Sequence, residues 1–164
     1  MQRSLSCVLP GPYVDVKGGY YASPKPHPLT LARGLPVALG GGRGLAIKVF
    51  QQYRVLEKPA PRQPWQVSTV AYAYTLQEVN GPEILSYHWH PNVPNSVSFP
   101  HLHLGYGTAI QREELWGVHL PTGRVILEDF VRLLVEEFGV PPERADWEDA
   151  LAQSRAEFEA DRTR

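Results

Sequence analysis

Val70, Tyr72 and Tyr74 recur with a period of two, the spacing of one face of a strand. Val67 to Leu76 is rich in β-branched and aromatic residues. Asn80-Gly81 predicts a hairpin turn, with Glu83 to His90 as the partner strand. Pro91, Asn92, Pro94 and Asn95 close that strand, and a further one is expected from Val97 to Leu104. Upstream, Tyr13 to Val16 reads as a short strand and residues 45–57 as a long one, followed by a loop at Pro59, Pro61 and Pro64. The segment Glu114 to Leu120 is ambiguous, a short strand being one reading.

The period changes near residue 126. Leu127, Phe130, Val131, Leu134 and Phe138 form a helical stripe, acidic residues occupy its first turn, and Gly139 and Pro141 end it. A second, weakly amphipathic helix is expected from about Ala145 to Asp161, with Trp147, Leu151 and Phe158 on one face. Strands followed by helices predict an α+β fold, an antiparallel sheet with the C-terminal helices packed on one face. The expected organisation is one domain over 1–164. Its parts are Gly/Pro-rich strands and loops over 1–65, His-bearing hairpin strands over 66–105, and two helices within 126–161.

Residues 17–44 break both periods. Pro24, Pro26, Pro28 and Pro36 exclude a regular helix there. Gly40-Gly41-Gly42-Arg43-Gly44 lacks the Gly-Lys-Ser/Thr ending of a phosphate loop and precedes a strand, so it reads as a turn. His27, within Pro26-His27-Pro28, reads as loop.

With 164 residues, 43% of them hydrophobic and 20% charged, the chain is long and apolar enough for a real core. A net charge of −1 provides no overall basic field toward nucleic acid or anionic membranes. Cys7 alone cannot form an internal disulfide or a cysteine-rich zinc site, and it suits a reducing cytoplasm, where this reading places the protein. No apolar run reaches the roughly 18 residues of a membrane span, and the start is too soon broken for a signal peptide.

Five of the six histidines lie within 32 residues, four of them as the pairs His88-Trp89-His90 and His101-Leu102-His103. Residues two apart on a strand share a face, so adjacent strands carrying such pairs bring four imidazoles together. One chemistry is metal-free cleavage of RNA, needing no cofactor. His101 and His103 would be the acid–base pair, with His88 or His90 assisting. Arg124 and Arg112 would supply phosphate contacts, and Tyr72, Tyr74, Tyr87 and Trp89 could stack on bases. His119, before Leu120-Pro121-Thr122-Gly123-Arg124, would join the rim. A second chemistry is a metal site, with zinc or another divalent transition metal on His88, His90, His101 and His103. Glu83, Glu113 and Glu114 are the nearby carboxylates, none at a diagnostic spacing. A third reading is a non-enzymatic protein-binding module whose histidines only shape an interface.

At Ser86-Tyr87-His88-Trp89-His90-Pro91 and Phe99-Pro100-His101-Leu102-His103 the chain resembles TumE-type toxins of toxin–antitoxin pairs. The resemblance covers about residues 66–138, with Tyr72-Ala73-Tyr74, Asn80-Gly81 and the helix from Leu127 to Phe138 matching the plan. The chain departs from it where the family tends to carry an Arg-Tyr-Asp-Asn-like step, having Ser86-Tyr87-His88-Trp89 instead, and in about 65 additional N-terminal residues. The resemblance implies a toxin acting on RNA, neutralised by a cognate antitoxin protein that covers the histidine groove. A homodimer is left open and no membrane association is expected. The tripeptide His90-Pro91-Asn92 precedes the catalytic cysteine in ubiquitin-conjugating enzymes, but no cysteine follows here, which excludes that transthiolation.

Overall fold

The computed structural model describes residues 1–18, 23, 25–57, 65–94, 97–108, 113–115 and 117–162. Its centre is the long hairpin of β4 (Leu45–Glu57) and β5 (Trp65–Glu78), continued through the Asn80-Gly81 turn into β6 (Glu83–Trp89). Asn80 takes the left-handed conformation that such a turn requires and that asparagine tolerates. β7 (His101–Leu104) and the two-residue β8 (Leu120–Pro121) extend the sheet on that side. On the other, β1 (Val14–Val16) pairs with β2 (His27–Leu31), while β2 and the short β3 (Val37–Ala38) pair with successive parts of β4. Among the described residues all pairings are antiparallel, giving eight strands in the order β1-β2-β4-β5-β6-β7-β8 with β3 beside β4. Helices α2 (Leu127–Glu136) and α3 (Trp147–Arg162) follow, so the fold is α+β as the sequence predicts.

Alternation along the strands sorts the sheet into two faces. One carries Ile47, Val49, Tyr72, Tyr74, Leu76 and Leu85, which form the core with Leu127, Phe130, Val131 and Leu134 of α2 and Leu151 of α3. Tyr72 and Tyr74 stack at 4.8 Å, Tyr74 stacks on Phe130 at 5.7 Å, and Tyr87 meets Phe130 edge-on at 6.5 Å. Each large side chain fully removed from water contributes about 1.5–3 kcal/mol, so this face anchors the sheet. A buried polar lock adds to it. The hydroxyls of Ser4 and Ser154 donate to Glu128 Oε1 at 2.8 and 2.6 Å, joining the N-terminus to α2 and α3.

Several expectations need correction. The opening residues form a one-turn helix, α1 (Gln2–Leu5), and Leu5, Cys7, Val8 and Leu9 are core residues. His27 is not loop: it is buried at the start of β2, which pairs with β4 despite Pro28 at its second position. The strand expected from Val97 begins only at His101, after Pro100, which has no N–H for a ladder. The segment at 114–120 is a 3₁₀ turn over Glu113–Leu115 and then β8. Among the described residues no helix is long and apolar enough to cross a membrane.

Candidate metal centre

The register of β5, β6 and β7 builds the site. Ser86 pairs with His103 and His88 with His101, while Thr75 and Ala73 lie opposite Ser86 and His88 on β5. Paired residues share a face, so these side chains project from the face turned away from α2 and α3. His90 continues the row of His88, and β8 brings His119 beside β7. The ring centroids of His88 and His90 are 5.1 Å apart, His88 and His103 4.8 Å, and His101 and His103 4.8 Å. His119 lies 4.9 Å from His101 and 4.5 Å from His103. Five imidazoles thus form one patch. The close approach of Gly105 holds the end of β7: its N–H donates to the Ile84 carbonyl at 2.8 Å, and a Cβ there would sit 2.0 Å from the Glu83 carbonyl oxygen.

His101 is only 2% exposed, so its nitrogens need partners. Its Nδ1 lies 2.8 Å from the Phe99 carbonyl oxygen. A carbonyl only accepts, so Nδ1 carries the hydrogen and Nε2 keeps its lone pair. On His88, Nε2 meets the buried Ser86 hydroxyl at 2.6 Å, and that hydroxyl meets Thr75 Oγ1 at 2.7 Å. An Nε2–H donating into this hydroxyl pair would leave the lone pair on Nδ1 of His88. One ring nitrogen each from His88, His101 and His103 lies within 4.8 Å of the others, and among the described residues this is the one such group.

Burial, followed by the neighbouring His103, His90, His101 and His119, pushes His88 from the ordinary 6.5 down to about 3. Burial and then His101 lower His90; burial, then His101, His119 and His90, lower His103. Among the described residues, the neighbours of His88 and His103 that lower their pKa are other histidines. Neutral imidazoles are lone-pair donors for a borderline-soft cation. A transition-metal ion held here would draw the three ring nitrogens, now within 4.8 Å of one another, closer together.

The other expected site residues lie elsewhere. Tyr72 and Trp89 are on the helix side, their rings 6.0 Å apart, and Tyr87 packs there against Phe130. The guanidinium of Arg124 stacks 4.5 Å over Trp89, and its Nη2 donates to the Thr69 carbonyl at 2.6 Å. Tyr72 Oη accepts the Val125 N–H at 2.9 Å, and Tyr72, Tyr74 and Arg124 line a cavity of about 220 Å³ between the sheet and the helices. The structure therefore brings His88, His90, His101, His103 and His119 together and places Arg124, Tyr72, Tyr87 and Trp89 across the sheet from them. Arg112 lies outside the described residues. The sequence reading passed over Ser86 and Thr75. Ser86 precedes His88 by two on the same strand and so shares its face, a signal present in the sequence. Comparison of the chain with protein-family models, curated proteins and solved structures finds no match.

Proposed function

We propose that the protein is a metal-dependent enzyme whose divalent transition-metal ion is held by His88, His101 and His103. The observation that carries this reading is the mutual approach of the three ring nitrogens within 4.8 Å. The second nitrogens of His88 and His101 are turned to Ser86 and to the Phe99 carbonyl, the outer hydrogen bonds that orient metal-binding imidazoles. An all-imidazole set favours zinc, copper, nickel or iron over the oxygen-seeking calcium and magnesium. Three neutral protein ligands leave the ion its full charge and an open coordination position, the arrangement of a Lewis-acid site rather than a closed structural one.

Metal-free cleavage of RNA by a toxin-like protein, with an antitoxin partner, is the competing proposal. It calls for a cation beside the histidines to meet the phosphate charge, and Arg124 is engaged on the opposite face. Chelation separates the two. Purified, untagged protein is treated with a strong chelator, dialysed, and assayed for RNA cleavage, and its induced expression is scored for growth arrest of the host. Activity that vanishes on chelation and returns with zinc supports the metal reading. RNA cleavage that survives chelation and disappears in His101→Ala/His103→Ala supports the metal-free one.

A further inference from the structure

His90 and His119 are not in the ligand triad, yet each lies against a different edge of it. His90 neighbours His88 at 5.1 Å and His101 at 6.2 Å, whereas His119 neighbours His101 and His103 at 4.9 and 4.5 Å. The triad therefore sits between two further imidazoles on the same open sheet face. Each imidazole has two nitrogens, so it can present an N–H to a bound molecule while the other nitrogen keeps a protein partner.

The metal reading and this arrangement together define a three-point receptor: the open position of the ion and one N–H on either side of it. We propose that this receptor binds a terminal phosphate group, either free phosphate or a phosphomonoester, with one oxygen on the ion and two others on His90 and His119. The inference rests on the metal reading. An ion ligated only by neutral imidazoles carries an uncompensated double charge, which selects an anion. The number of contact points then selects among anions. A carboxylate has two oxygens and cannot meet three points. A phosphodiester has two unesterified oxygens and leaves one donor to a weakly accepting ester oxygen. A terminal phosphate has three equivalent oxygens arranged as a tripod and can satisfy the ion and both flanking donors.

The test uses the full chain loaded with cobalt(II), whose visible spectrum reports ligands entering its coordination sphere. Cobalt uptake is measured first, followed by titration with inorganic phosphate, phenyl phosphate, dimethyl phosphate and acetate in a non-coordinating buffer. The expected result is about one bound cobalt, with phosphate and phenyl phosphate perturbing the spectrum at concentrations about tenfold or more below those of dimethyl phosphate and acetate, the scale of one additional hydrogen bond. In His90→Ala/His119→Ala the cobalt should remain and this preference should collapse. His119→Ala alone, at an exposed position, should show a partial collapse and keeps the test decisive if the double variant does not fold. Equal binding of diester and monoester overturns the proposal. So does a preference that persists in the variants, which would stem from charge alone, and so does a second bound cobalt that needs His90 and His119 as ligands. Failure to take up cobalt at all overturns the metal reading itself, a different result from any of these.

Discussion

Replacing Ser86 by alanine isolates the contribution of the hydroxyl pair to the site. Ser86 is fully buried, and its hydroxyl stands between Thr75 Oγ1 at 2.7 Å and His88 Nε2 at 2.6 Å. Alanine has nearly the same volume, so no cavity opens and the packing of β5 on β6 is kept. What is lost is polar: the buried Thr75 hydroxyl and the half-buried His88 Nε2 lose this partner. One such unsatisfied group costs about 1–3 kcal/mol, so Ser86→Ala should lower the unfolding free energy of the metal-free protein by roughly that amount. The same change frees the His88 ring to rotate and to exchange tautomers. Loss of an outer hydrogen bond of this kind weakens metal binding about 10–100-fold, equivalent to about 1.4–2.8 kcal/mol. Urea unfolding with chelator present reads the first quantity, and competitive zinc titration reads the second. Thr75→Val is the companion variant. It keeps the β-branched shape and the Ser86–His88 contact, so it should reduce stability with a smaller loss of zinc affinity. If Ser86→Ala destabilises the fold but binds zinc as tightly as the parent, the hydroxyl pair does not orient His88 and the reasoning fails.

Further predictions follow from the same geometry. His88, His90 and His103 have folded-state pKa values below those of an unfolded chain, so the unfolded state binds protons first as the pH drops. Above about pH 6.5 both states of His88 are neutral and no stability is lost; from there toward pH 3 its contribution is progressively lost, with a slope of at most about 1.4 kcal/mol per pH unit per proton. Urea midpoints of metal-free protein across that range check the sign, and stability that rises on acidification contradicts it. Arg124→Ala should destabilise the fold, through loss of the stacking on Trp89 and of the bond to the Thr69 carbonyl, while zinc uptake stays within about twofold of the parent, since sites without shared partners are nearly additive; a large loss of zinc would place Arg124 at the site. Burial raises the pKa of the Cys7 thiol and hides it, so a thiol reagent should label Cys7 only at the rate of unfolding. Rapid labelling of folded protein would refute that placement.

The middle of the fold was legible because local signals agree there. The β-branched and aromatic content of β5, Asn80-Gly81 and the stripe of α2 each point to one structure. The histidine patch was legible in part: each His-x-His pair shares one face of its own strand, and the register of His88 opposite His101 puts both pairs on the same face. The same rule argues against grouping Tyr87 and Trp89 with these histidines, because odd and even positions of β6 face opposite ways. Aromatic content suggested a base-stacking surface, and the core used those rings instead. Arg124 lies beyond β8 and before α2, where no periodicity assigns a side, and its stacking on Trp89 decides its place only in three dimensions. The first turn was missed because four helical residues carry too little periodicity to register, although Leu5, Val8 and Leu9 have helical spacing. β2 was hidden by Pro26 before it and Pro28 within it, which local rules read as loop while pairing with β1 and β4 makes it a strand.

The central claim is that His88, His101 and His103 form a transition-metal site, and a zinc titration of the folded, untagged chain beside His101→Ala tests it most directly. His101 is the buried member, and its Nδ1 is already committed to the Phe99 carbonyl. The account predicts about one equivalent of tightly bound zinc in the parent, and a loss of affinity in His101→Ala larger than the roughly 10–100-fold expected for an outer-shell change. A folded parent that takes up no zinc, or a His101→Ala variant that binds it as tightly as the parent, would contradict the account.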